Sequence, residues 1–484
     1  MSRSTEGVFA PRYRVVSAAI VLTVTIFAFE GMAISTAMPV AGAELGAARG
    51  YGLAFSVLVT LQVLGTVLAG PWCDTSGPLP VVIAGQLLFA AGAAACAAAT
   101  AYPVFLVGRA FAGLGTGLSV VALYVIIGRF YPSGLRPTVF TYVSAAWVLP
   151  SLLGPSVAAW LTESFSWRWV FGIVCVPAVA AAAVVASRAR SVEMAYADPA
   201  PTTPDGLADV PVDGADRLDA DPGVDPAGRA AHLRTAAIGI GVAAAAGVVQ
   251  YGSAQLRTVV SAAGAAILVG VVAVLLTAPR VLTPGTLTMR RGLASVMTAR
   301  LLLMAAFNGV VSFVPLMLTA ERGASLPIVG VTLTVGSLGW FAGAWVQGRS
   351  RWTGRRWQLV AGGGVGLSAG LLLCVLVAAT TLPWPVLAAG QLLAGLGMGL
   401  ATASTGVLAL ELAPVSDHGA ASSSLQLSDS LGSITGLSTA SAVYAALHVS
   451  AGADRGVYVV MWSALVVLAL LVVAAGVRAR VERG

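Results

Sequence analysis

Glu30, Arg109 and Asp429 are ionisable residues inside long apolar runs of this chain. A charge in lipid-thick apolar sequence is costly unless it is paired, and such residues mark ion and substrate pathways. Glu30 lies in FEGMAISTAMP, nine residues before Pro39, and Arg109 lies six residues after Pro103. At 1.5 Å per helical residue these offsets are about 13 Å and about 9 Å, which puts both groups at similar depth in the outer half of a membrane. A carboxylate subject to desolvation and to a facing guanidinium is suited to taking up and losing a proton; a purely structural ion pair is the alternative. Asp429 lies in SSSLQLSDSLGSITGLSTAS, ten residues after Gly419, which places it about 15 Å deep, near the midplane. Its serine-rich surroundings suit either a polar transport site or close helix packing. Phe27, Phe29, Asn308, Tyr124, Tyr142 and Trp147 are further candidates for lining a substrate cavity.

These groups need helices that cross a bilayer. The 484 residues are 58% hydrophobic and 10% charged, with mean hydropathy +0.89. Fourteen apolar segments begin near Val15, Tyr51, Pro80, Val104, Thr138, Trp169, Thr235, Thr258, Leu293, Leu326, Trp357, Pro385, Gly419 and Val457. Most are long enough to span the bilayer core, for which about 20 residues suffice. All 27 basic side chains are arginines, and they crowd alternate gaps. With the N-terminus in the cytoplasm, twenty fall in cytoplasmic gaps and five in external ones; Arg109 and Arg300 lie within apolar segments. Arginine-rich loops stay inside, so both termini are expected in the cytoplasm of a multi-pass inner-membrane protein. The net charge of +7 then reads as loop bias, not as a nucleic-acid footprint. The first segment is too long for a cleaved signal peptide, carries Glu30 and lacks a cleavage site.

The absence of lysine excludes a Walker A phosphate loop and Schiff-base chemistry. Cys73, Cys96, Cys175 and Cys374 form neither a disulfide framework nor a metal-ligand spacing. No enzyme activity, cofactor or metal is expected. Between about Ser191 and Ala231 eight aspartates alternate with six prolines, a composition that cannot offset chain entropy and is expected to be disordered.

The chain also repeats itself. AGLGTGL from Ala112 to Leu118 recurs as AGLGMGL from Ala394 to Leu400, and the same offset matches Pro132 to Pro414, Arg129 to Glu411 and Arg109 to Gln391. This is the weak internal symmetry of a duplicated six-helix half. The expected division is an N-terminal half at 1–190, an acidic cytoplasmic loop at 191–233, an inserted two-helix hairpin at 234–279 outside the transport path, and a C-terminal half at 280–484. The fold class is an all-α membrane protein of two pseudo-symmetric six-helix bundles plus the hairpin.

With these motifs the chain resembles the major facilitator superfamily, in its fourteen-helix drug:proton antiporter branch, over nearly its whole length. The family's signature turn is matched by Gly70, Asp74 and Gly77 in GPWCDTSGPLP, with Thr75, Leu79 and Pro80 in place of its basic residues. The second copy, GAWVQGRSRWTGRR, keeps Gly343 and is basic from Arg349 onward, with Gln347 where the acid would stand. The resemblance implies that these turns latch the two halves. Pro150, Gly154 and Pro155 resemble the branch's antiporter motif, in which a bent helix lies between the halves; Ala158 and Ala159 replace its terminal glycines. Helices 1 and 4 are neighbours in that fold, which would bring Glu30 beside Arg109. WRWVF, Trp167 to Phe171, is familiar in the branch, and its tryptophans suit interfacial anchors.

The implied function is proton-coupled export of small hydrophobic or amphipathic molecules by alternating access, with Glu30 and Asp429 as proton carriers and Arg109 as the tuning partner. The expected partners are the lipid bilayer, protons and a small-molecule substrate, with no nucleic acid and a monomeric state. A dedicated exporter of one endogenous metabolite or lipid is the alternative; a non-transporting receptor or scaffold is disfavoured by the repeat and the intramembrane acids.

Overall fold

A computed structural model describes residues 7–47, 50–132, 135–187, 226–256, 261–280, 282–348, 355–414, 418–449 and 454–480. The acidic segment at 188–225 therefore lies outside the described residues. Among the described residues are fourteen long helices: α1 Arg14–Glu44, α2 Leu53–Ser76, α3 Pro78–Ala97, α4 Tyr102–Phe130, α5 Arg136–Ser164, α6 Arg168–Ser187, α7 Pro226–Ala254, α8 Ala262–Thr277, α9 Leu293–Val311, α10 Leu326–Gln347, α11 Arg356–Ala379, α12 Trp384–Leu412, α13 His418–Leu447 and α14 Arg455–Arg478. Eleven of the helical spans are long and apolar enough to cross a membrane. Proline at the first or second position starts α3, α4, α5, α10 and α12, where its missing N–H would have no helical partner anyway.

Some boundaries differ from the sequence expectation. α7 begins at Pro226, inside the segment read as disordered up to residue 233. A first-turn proline and alanine-rich sequence favour helix over the loop reading there. α2 runs on through Pro71 to Ser76, so Cys73 is buried in a helix, not in a turn. α9 continues past a break at Ser312 through Val314–Leu316 into a π-helical turn, Met317–Glu321.

The two halves repeat one packing scheme. α4 packs on α2 and α3 as α12 packs on α10 and α11; α3 meets α6 as α11 meets α14; α1 meets α5 as α9 meets α13. The glycine repeat explains the central position of α4 and α12. A side chain on Gly113 or Gly117 would strike the backbone of α2, and one on Gly115 the backbone of α3. Gly395 and Gly399 stand in the same way against α10, and Gly397 against α11. Alternate glycines thus serve two neighbouring helices, and small residues allow the close backbone approach that drives packing in lipid.

The halves meet through α5 on α10 and α2 on α13. One apolar cluster joins the C-terminal half of α1, Tyr51 and Phe55 to residues of α9, α13 and α14. At the opposite end, the cluster around Tyr13, Val82, Ile127 and Val143 contains residues of the first half alone. The two halves are therefore packed together at the face that carries Tyr51, called here the sealed face. α7 lies against both α2 and α13, and α8 lies against α7. The hairpin thus flanks one seam between the halves, where Thr60 of α2 donates to Gln250 of α7 at 2.6 Å.

Candidate functional site

Glu30 and Arg109 form an ion pair between α1 and α4, with side chains 3% and 2% exposed. Arg109 also donates from Nε to the carbonyl oxygen of Ala54 on α2 at 2.8 Å. Burial this complete removes both charges from competing solvent, so each depends on the other. The pair ties three helices of the first half together.

The second charged site pairs Asp429 with a residue to which sequence reasoning gave no role. Arg300 of α9 donates from Nε and Nη2 to the two carboxylate oxygens of Asp429 on α13, the Nη2 contact being 2.8 Å. Its Nη1 donates to the carbonyl of Thr402 on α12 at 2.6 Å and faces the Thr405 hydroxyl at 3.3 Å. A planar guanidinium meeting both carboxylate oxygens fixes orientation as well as charge. The side chains are 12% and 18% exposed, so this site is wetter than the first. Asn308, two turns along α9, donates to Ser433 of α13 at 2.9 Å. The sequence signal for Arg300 was available: it is one of only two arginines inside apolar segments.

The halves are thus alike in packing but not in charge. At the repeat offset, Gln391 replaces Arg109 and Ser312 replaces Glu30. Gln391 is buried and donates to Cys374 at 3.4 Å. The second half carries its pair between its first and fifth helices instead.

The other candidates are scattered. Phe27 is buried and packs edge-on against Phe89, 4.7 Å between centroids. It belongs to an apolar cluster of the first half. Phe29 is partly buried, and Gly154 faces it and Met32 across α1 and α5. Tyr124, Tyr142 and Trp147 are 47%, 40% and 38% exposed. Pro150 and Pro155 lie inside α5, where the Pro155 carbonyl comes close to Gly330 of α10. Ser156 lies 3.1 Å from Thr334 at the same seam.

Of the latch residues, Gly70 and Asp74 fall in α2, and Gly77 takes a left-handed φ of 76° that allows the reversal into α3. The Asp74 side chain and Arg349 are outside the described residues. Gly343 packs against the α12 backbone. In the second copy Arg356 donates to Gln347 at 2.9 Å and pairs with Glu411 at 3.4 Å, which gives Gln347 a cation partner without being an acid. Trp167 is buried and donates to Glu44 at 2.7 Å, so the interfacial-anchor expectation fits the exposed Trp169 alone.

The sealed face is aromatic and acidic. Tyr51 packs on Phe313 at 5.2 Å across the halves, and Phe313 packs on Tyr444 at 5.4 Å. Beside them lies a cavity of about 700 Å³ bordered by Pro39, Glu44, Tyr51, Leu316, Tyr444 and His448, among others. Neither the cluster nor the cavity was foreseen from sequence, because its members come from four separate segments.

Known proteins agree with this architecture. Multidrug transporter protein MdtP of Bacillus subtilis (strain 168) is 27% identical over 178 residues, 36% of this chain and 32% of that protein. Multidrug efflux pump SdrM of Staphylococcus aureus (strain N315) is 26% identical over 155 residues, 32% of this chain and 35% of the pump. The matched segments thus span about a third of those relatives. Among solved structures, a peptide transporter POT in complex with alafosfalin superposes with TM-score 0.65 at 18% identity, covering 97% of this chain and 96% of the other. A D-xylose-proton symporter gives TM-score 0.60 at 15% identity, with coverage of 95% and 97%. The pseudo-symmetric helices, the membrane-length apolar spans and a match to the Major Facilitator Superfamily over residues 20–351 establish that the chain belongs to that superfamily.

Proposed function

We propose that this transporter exports small hydrophobic or amphipathic molecules in exchange for protons, by alternating access between its two halves. The observation that carries the reading is the fully buried Glu30–Arg109 pair. An intramembrane acid held by one guanidinium can exchange that partner for a proton, and the change in charge can bias one arrangement of helices over another. Asp429 with Arg300 is the second proton-linked site, nearer the midplane and open enough to meet substrate. The arginine distribution places the Tyr13 face in the cytoplasm, so the sealed Tyr51 face is external and the described arrangement is closed to the outside. The multidrug transporter and multidrug efflux pump among the relatives support drug efflux, and the D-xylose-proton symporter of the same fold supports the use of protons.

Purified protein in proteoliposomes, with a pH gradient imposed in either direction and a panel of lipophilic cations and neutral amphipaths, tests the reading. Accumulation that follows the gradient and collapses with a proton ionophore is expected. Transport indifferent to the gradient would remove proton coupling. Transport of a single compound from a broad panel would favour the dedicated-exporter reading.

A further inference from the structure

At the Tyr51 face, Asp454 is 1% exposed and sits at the centre of a hydrogen-bonded group. His448 Nδ1 lies 2.5 Å from its Oδ2, the Val449 N–H donates to Oδ1 at 3.0 Å, and the Tyr444 hydroxyl lies 3.4 Å from Oδ2. The Asp454 backbone N–H donates to Glu321 of the π-helical turn at 3.2 Å. The His448 ring stacks on Tyr444 at 5.0 Å and 21°. The imidazole therefore touches both the buried acid and the aromatic row that runs from Tyr444 through Phe313 to Tyr51 on the other half. His448 and Tyr51 border the same 700 Å³ cavity. The Tyr51 hydroxyl is buried without a hydrogen-bond partner among the described residues.

We propose that His448 is a proton-binding site of the sealed face, and that a proton taken up from the cavity on its outward nitrogen holds the seam between the halves shut. With Nδ1 turned to Asp454, that nitrogen carries the shared hydrogen and Nε2 is left to accept the incoming one. Imidazolium facing carboxylate makes a charge-assisted hydrogen bond, roughly twice as strong as a neutral one. Opening the seam would part Tyr444 from Phe313 and Tyr51 and let water reach the pair, which weakens the attraction. The charge-assisted contact is made in the sealed arrangement and lost on opening, so acid on this side favours sealing.

The other charged and titratable groups facing the site are accounted for. Glu321 and Arg322 close α9, and Arg322 donates to the carbonyls of Val377 and Thr380. Burial and then Arg455 lower the Arg322 guanidinium from its ordinary value, while Glu321 raises it. Tyr458 lies 6.0 Å from Tyr444. Across the cavity Glu44 is engaged by Arg168 at 2.7 Å and by Trp167, and Tyr102 donates to the carbonyl of Gly50 at 2.5 Å. Of these, His448 borders the cavity and faces the buried acid.

The proposal rests on alternating access but not on proton-driven transport, so the two can fail separately. Spin labels at Thr100→Cys and Leu382→Cys, exposed positions at this face on opposite halves, report the seam in a background without Cys73, Cys96, Cys175 and Cys374 that still transports. Distances are read in lipid nanodiscs at about pH 5.5 and about pH 8. The expected result is one short distance at the acid pH and, at the alkaline pH, a longer-distance population roughly two-fold larger or more. In His448→Gln the two pH values should give the same distribution. A His448→Gln protein that keeps the full pH response, or a parent protein whose distances ignore pH, overturns the proposal. Asp454→Asn supplies an independent arm, since loss of the acid should also remove the pH response.

Discussion

Arg300 meets both carboxylate oxygens of Asp429, while its remaining nitrogen, Nη1, donates to the α12 carbonyl of Thr402. The guanidinium is thereby shared among three helices, α9, α12 and α13. Any movement of α13 against α9 must break or rotate this fork, so the contact is placed to report a change of state. Replacing Asp429 by Asn keeps a neutral acceptor but removes the charge. The Asp429→Asn protein is expected to fold and to lose gradient-driven transport by about ten-fold or more, the loss that corresponds to about 1.4 kcal/mol. Vesicle uptake under a fixed pH gradient measures it, and unaltered uptake would leave the fork as a structural brace.

The Glu30–Arg109 pair is drier, and its energetics follow a different rule. Removing one member of a buried pair costs about 3–5 kcal/mol, because the other charge is left uncompensated, whereas replacing both is far milder. The repeat itself supplies a neutral solution, Ser312 and Gln391 at the equivalent positions. Arg109→Gln is expected to lower thermal stability in detergent much more than Arg109→Gln combined with Glu30→Gln. The double variant should keep downhill substrate exchange and lose gradient-driven accumulation. A double variant no more stable than Arg109→Gln would argue against coupling between the two charges.

The glycine repeat makes a sharper structural claim. A methyl at Gly397 would enter the backbone of α11, whereas Gly406, two to three turns further along the same helix, has open space around it. Gly397→Ala is expected to lower the melting temperature clearly, in line with overpacking costs of about 1–3 kcal/mol. Gly406→Ala should leave it unchanged or raise it slightly, since alanine is the better helix former. Thermal unfolding of the two proteins side by side decides the matter; equal effects would mean that the glycines do not set the α11–α12 distance.

The order of the helices was readable in the chain because apolar length, prolines and arginines each mark the same boundaries. The depth match of Glu30 and Arg109 was readable for a similar reason: each sits a countable distance from a proline near one membrane face. Asp429 was located, but its partner was not, because the repeat sets Arg109 against Gln391 and says nothing of which α9 residue faces α13. The packing of Phe27 was not readable, for a general reason. Sequence gives the helix on which an aromatic side chain lies, but whether its face looks to a core or a cavity depends on the neighbouring helix. The sealed-face cluster draws on α1, α9, α13 and α14, so only the assembled fold brings Glu44, Glu321, His448 and Asp454 near one cavity.

The inserted hairpin provides the last test. α7 touches α2 of one half and α13 of the other, and the Thr60–Gln250 hydrogen bond is buried at the first of these contacts. Each half nevertheless repeats its full six-helix packing without α7 or α8. A protein in which residues 226–280 are replaced by a short polar linker is therefore expected to retain both halves, seen as a monodisperse peak and a cooperative melt in detergent. Because α7 lies along a seam that must shift when the halves rock, its removal should change the transport rate more than the affinity for substrate. The milder pair Thr60→Val with Gln250→Leu removes the buried hydrogen bond without leaving one partner unsatisfied, a change that is close to neutral for stability. It should move the rate in the same direction as the deletion. Aggregation of the deleted protein alone, with the paired substitution matching the parent in rate, would show that the hairpin is a packing element of the fold and takes no part in the motion.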